Sequence, residues 1–102
     1  KDHMLRAFEI RPCPVSMMAL IHAASRPAIQ QEMNRHIRDF ADRFLEQRDR
    51  LRNEAGYLEL ASAAIMAGDY LAKADPAKRT VYLNMKQEIQ SESARTHNQS
   101  VW

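Results

Sequence analysis

Four histidines, one cysteine and a band of interleaved acids and arginines are the side chains here that could do chemistry. The histidines are His3, His22, His36 and His97, and Cys13 is the one thiol. No two of these stand at i, i+4, and neither a CxxC pair nor an HExxH run is present, so the spacing that sets metal ligands on one helical face is missing. His22 and His36 therefore read as structural residues. Cys13 lies between Pro12 and Pro14. With no helix start of its own to acidify it, the thiol reads as packed rather than nucleophilic. Two glycines leave no Gly-rich phosphate loop. The carboxylates are interleaved with arginines, which is the pattern of a solvated helical face rather than of an acid–base pair. Asp39 with Arg43, and Glu46 with Arg50, have the favourable i, i+4 order, worth about 0.2–0.5 kcal/mol each. No catalytic, cofactor or metal site is expected, and the chain is not read as an enzyme.

Those charges need a scaffold, and the sequence offers a long one. Residues 27–55 hold six arginines (Arg35, Arg38, Arg43, Arg48, Arg50, Arg52) and six acids (Glu32, Asp39, Asp42, Glu46, Asp49, Glu54), with no glycine and no internal proline. An apolar seam runs through them at Met33, Ile37, Phe40, Phe44 and Leu51. Its spacings of 4, 3, 4 and 7 approach a heptad rhythm. A helix over 27–55 would be roughly 43 Å long, more than the width of a domain of this size. The seam is therefore expected to lie against a partner, as a partner-binding or dimer surface, or against the third helix of its own chain.

Around this helix the pattern predicts a small bundle. Residues 5–11 alternate and read as a short edge strand or an extended arm. Pro12 and Pro14 make an elbow. A helix starts at Pro14 or Val15, where proline suits the first turn. It is apolar on most sides up to Ala24 and is the element expected to be most buried. Gly56 ends the long helix or kinks it, glycine being the usual left-handed C-cap. An Ala-rich segment over 57–67 lets another helix come close, and Gly68–Asp69 reads as a turn or interruption. Asp75 is the expected N-cap of a last helix with Pro76 at its first position. Residues 1–3 read as a cloning remnant and about 95–102 as a frayed tail, with Val101 and Trp102 free to dock.

Composition sets the outer limits. A chain of 102 residues with net charge +2 is one domain's worth and carries no polyanion signature. The lone cysteine excludes an intrachain disulfide and suits a reducing compartment. No run of about 18 apolar residues is present, so no membrane partner is expected. Methionine, with six copies, fills cores and also adaptable binding surfaces.

Arg48, Arg50 and Arg52 form the cluster that could touch phosphates, although residues 27–55 sum to zero charge. The expected order of strand 5–11, helix 15–24 and helix from Pro27 resembles the ribbon-helix-helix repressors. That resemblance covers about 45 residues. It implies a dimer laying a two-stranded ribbon in the major groove, and no residue-level site. Residues 60–74 (LASAAIMAGDYLAKA) are similar to the middle of a tetratricopeptide repeat, a protein-binding helical hairpin, but no second copy of the motif occurs.

The reading that results is an all-α bundle of three or four helices built on the 27–55 helix. Its expected function is protein–protein interaction without catalysis: a small regulator, adaptor or chaperone-like module, homodimeric, in a cytoplasm of bacterial type. The alternative is a dimeric DNA-binding regulator.

Overall fold

Proline and glycine punctuate the chain, and between them it is helix. The computed structural model describes the backbone of residues 2–101 and the side chains of residues 2–92. It is all-α: α1 (Asp2–Ile10), α2 (Pro14–Ala23), α3 (Gln30–Leu51), α4 (Tyr57–Ala74) and α5 (Arg79–Val101), with a single 3-10 turn at Pro76–Lys78. No strand occurs among the described residues. The expected fraying and docking of 95–102, and the remnant reading of Lys1, fall outside the described side chains.

The strand or arm expected at 5–11 is corrected: residues 5–10 belong to helix α1, and Arg11 follows its end. Phe8 is the buried residue of α1, and Met4 and Leu5 pack half-buried at i−4 and i−3. That is a helical stripe, and seven residues of near-alternation could not exclude it. The described residues form a helical bundle, with α1 as an element the sequence pattern left ambiguous.

The long helix is also shorter than expected, 22 residues in place of 29. That makes it about 33 Å long at 1.5 Å per residue. It fits inside the molecule's 50 Å long axis, so its length no longer demands a second chain. At its start, Pro27–Ile29 form a turn closed by the Ile29 N–H donating to the Arg26 carbonyl (3.2 Å), and the Gln30 amide donates to the Ala24 carbonyl at the end of α2 (3.0 Å). At its end the chain tightens, with the Glu54 N–H donating to the Leu51 carbonyl at 3.0 Å. It then reverses at Gly56, whose φ of +84° suits a residue without Cβ.

The hub is the Ala-rich α4 rather than the charged α3. It packs against α2, α3 and α5. Ala61, Ala63, Ala64, Ala67, Gly68 and Ala72 are all buried, and these small side chains allow the close approach. At Gly68 a Cβ would lie 2.9 Å from Met85 Cε and 3.1 Å from the Tyr82 carbonyl oxygen. Gly68 thus holds a helix crossing, and the turn expected at 68–69 is corrected to continuous helix. The real turn follows Ala74. There Asp75 does not cap with its side chain; its carboxylate lies 3.7 Å from Arg38 Nε instead.

Side-chain pairs give the directions. Tyr70 donates to Asn34 at one end of the α3–α4 pair, and Phe44 stacks on Tyr57 at the other, so these helices are antiparallel. Lys86 meets Asp69 and Tyr57 meets Glu92, so α5 runs back along α4. Arg11, just before α2, pairs with Glu59 in the first turn of α4, so α2 and α4 run the same way. α1 reaches α3 through an edge-on contact of Phe8 with Phe40, ring centroids 5.1 Å apart.

Candidate interaction surface

The expected seam of α3 closes within its own chain. Met33 and Ile37 are fully buried and Phe44 nearly so. Phe40 and Leu51 are half-buried against the same core. Phe40 is covered by Phe8 of α1 and leans on Phe44, which in turn stacks on Tyr57 at 6.0 Å. Of the two settings open to the seam, a partner or the chain's own third helix, the second is the one observed: the apolar face of α4, together with the short α1, supplies the cover.

The arginine cluster separates into two kinds of residue. Arg48 is buried, and its guanidinium spans two carboxylates of α5, donating to Glu88 at 2.8 Å and to Glu92 at 2.8 Å. Arg52 donates to Glu92 at 2.9 Å and to Asp49 at 2.8 Å. The Tyr57 hydroxyl donates to the other oxygen of Glu92 at 2.9 Å. Burial opposes the charge of Glu92, yet the Tyr57 hydroxyl together with Arg48 and Arg52 outweighs it and holds the carboxyl below the usual range. Arg50 is exposed and donates to Gln47. The network ties the ends of α3 and α5 together, and it already occupies two of the three arginines that a phosphate would need.

Cys13 sits at a place the sequence reading missed. It is the N-cap of α2, with Pro14 in the first helical position. Its backbone N–H donates to the Ser16 hydroxyl oxygen at 3.1 Å, and its thiol lies 3.5 Å from that oxygen. The Ser16 backbone N–H, which faces the Cys13 side chain, and after it the Ser16 hydroxyl lower the thiol pKa. The N-cap position itself was legible in the Cys-Pro order. The contacting group is a hydroxyl, which has no basicity near neutral pH. Among the described residues no three His, Cys, Asp or Glu side chains converge as metal ligands. No described helix is long and apolar enough to cross a membrane.

The feature the sequence reading missed is the outward face of α2. One side of this helix is buried through Ser16, Met17, Leu20, Ala23 and the following Ala24. On the other, Val15 is 80 % exposed and Met18 60 % exposed, with His22 exposed one turn on. Ala19 and Ile21 flank them half-buried. The helix contains no Asp, Glu, Lys or Arg. A helix apolar on all sides is ordinarily enclosed, so the expectation that α2 is the most buried element is corrected. Among the described residues, no helix covers its outer face. The signal was present in the sequence: a helical run, Pro14–Ala23, with no Asp, Glu, Lys or Arg on any side. Elsewhere, a recess of about 720 Å³ opens between α4 and α5 over Leu58, Ala61, Ile65 and Ile89, with Glu54 and Arg52 at its rim.

Comparison with protein families, with curated proteins and with solved structures finds no match to this chain.

Proposed function

We propose that this chain is a small non-enzymatic helical interaction module, a regulator, adaptor or chaperone-like protein that docks through the outer face of α2. The observation that carries this is the exposure of Val15 and Met18 on a helix without a charged residue. Scattered exposed apolar residues are ordinary, but a whole uncharged helical face marks a surface that binds. Methionine at its centre adds the adaptability common on such surfaces. The contact of Cys13 with a hydroxyl rather than a base supports the non-enzymatic part of the reading. A reducing cytoplasm suits its unpaired, half-buried thiol.

Duplex binding takes second place. Residues 5–10 are helical, so they offer no ribbon, and Arg48 and Arg52 are engaged by carboxylates of their own chain. The test is a photo-crosslinking amino acid at position 18, with position 50 on the polar face of α3 as control. In extract of the source cells the reading expects a discrete protein adduct at 18 and none at 50. Equal, diffuse labelling at both positions would count against it.

A further inference from the structure

We infer that the occupant of the α2 face is a second copy of this chain, the two α2 helices lying antiparallel across a two-fold axis close to Met18. This rests on the reading of α2 as the docking face. A two-fold interface brings residues near the axis against their own copies, so a face carrying charge at its centre repels itself. α1 exposes Arg6 and Glu9, α3 exposes Arg35, Asp39 and Arg43, and α4 exposes Glu59, Asp69 and Lys73. The described part of α5 exposes Arg79 and Glu88. Only the α2 face, among the described helices, presents Val15, Met18 and His22 with no charge between them.

The ends of the helix match as well as its centre. Met18 is at the middle of Pro14–Ala23. Arg11 and Arg26 lie at nearly equal distances along the chain on either side of it. An antiparallel pair therefore brings exposed Arg26 of each copy to the end where Arg11 holds Glu59 at 3.0 Å. Glu59 is 47 % exposed at its side chain and has room for a second cation. Its carboxylate then lies between Arg11 of its own chain and Arg26 of the copy, once at each end of the interface. The helix dipoles oppose each other in the same arrangement, which is the favourable sense. The area is modest: a ten-residue helix is about 15 Å long. That places the contact among weak, small interfaces, below roughly 1,200 Å² in total, and the dimer should form with Kd of about 10–500 µM.

The experiment is sedimentation equilibrium over about 10 µM to 1 mM, a span chosen to bracket a weak interface. The wild type should rise from the 11.8 kDa chain mass toward twice that value. Met18→Glu and Met18→Lys, at an exposed position that leaves helicity unchanged by circular dichroism, should each self-associate at least about tenfold more weakly. Mixed one to one, they should recover the dimer, because opposite charges then meet at the axis. A wild type that stays monomeric throughout overturns the inference. So does a Met18→Glu variant that dimerises like the wild type, since the contact would then lie on another face. The position-18 crosslinker separates this failure from that of the docking reading. A monomeric wild type with an adduct to a different protein removes the second copy and leaves α2 as a docking face; a monomer with no adduct removes both.

Discussion

Arg48 and Arg50 stand two residues apart and should respond to mutation in opposite ways. Arg48→Ala strips the buried partner from Glu92 and leaves a carboxylate that is 20 % exposed with less compensation. Loss of one partner of a buried pair costs about 3–5 kcal/mol; with Glu88 largely in water, the lower end of that range, about 3 kcal/mol, is expected. Arg50→Ala should change stability by less than about 1 kcal/mol, as for exposed pairs. Urea denaturation of both variants checks the contrast. Phe44→Ala should cost about 3–5 kcal/mol, and the half-buried Phe40→Ala less, which thermal unfolding will rank. Glu92 adds a pH dependence. Its folded pKa is depressed, so the stability it contributes is complete above its unfolded value of about 4.5. That contribution is lost as pH falls through the folded value. Denaturant midpoints at pH 7, 4 and 3 should therefore drop more steeply for the wild type than for Glu92→Gln. A parallel fall in both proteins would assign the acid sensitivity to other carboxylates.

At the level of elements, the α4–α5 crossing depends on the absence of a side chain at Gly68. Gly68→Ala raises helix propensity by about 1 kcal/mol, but its Cβ meets the Tyr82 carbonyl at 3.1 Å, and backbone does not yield as a methionine tip does. Overpacking of this kind costs about 1–3 kcal/mol. The expected net outcome is a loss of up to about 2 kcal/mol, measurable as a lower melting temperature; a rise in that temperature would show that the crossing opens without penalty. The same elements show what was legible beforehand. The helical class, the start at Pro14 and the left-handed turn at Gly56 were readable, because each rests on backbone rules that neighbours cannot override. So was the close packing of the alanines. The α1 helix was not, since its seven ambiguous residues fit a period of two or of 3.6 until Phe40 is there to receive Phe8. The closure of the Met33–Phe44 seam was hidden for a related reason. A sequence shows that a stripe wants a partner, and tertiary contact decides whether the chain supplies it. The cap at Asp75 failed because Arg38, 37 positions earlier, offers its carboxylate an ionic contact. The exposed side of α2 is not legible in the sequence because hydrophobicity on every side ordinarily signals enclosure.

Across the whole molecule, local stability should follow how many neighbours each helix has. α4 is held by three helices, whereas α1 anchors through Phe8 and packs chiefly on α2. Amide hydrogen exchange should therefore be slowest in α4 and fastest in α1, with openings of α1 well below the global unfolding free energy. Uniform protection across all five helices would contradict this. The order of packing has a further, temporal consequence. α2 meets α3, α3 meets α4 and α4 meets α5, each pair being consecutive in the chain and joined by a short turn. The principal skips are α2 with α4, and α3 with α5 through Arg48 and Tyr82. Bundles dominated by such local pairings close small loops before large ones and fold in microseconds to milliseconds. A newly made chain of this design would thus spend little time with its uncovered α2 face and unfinished core in water together.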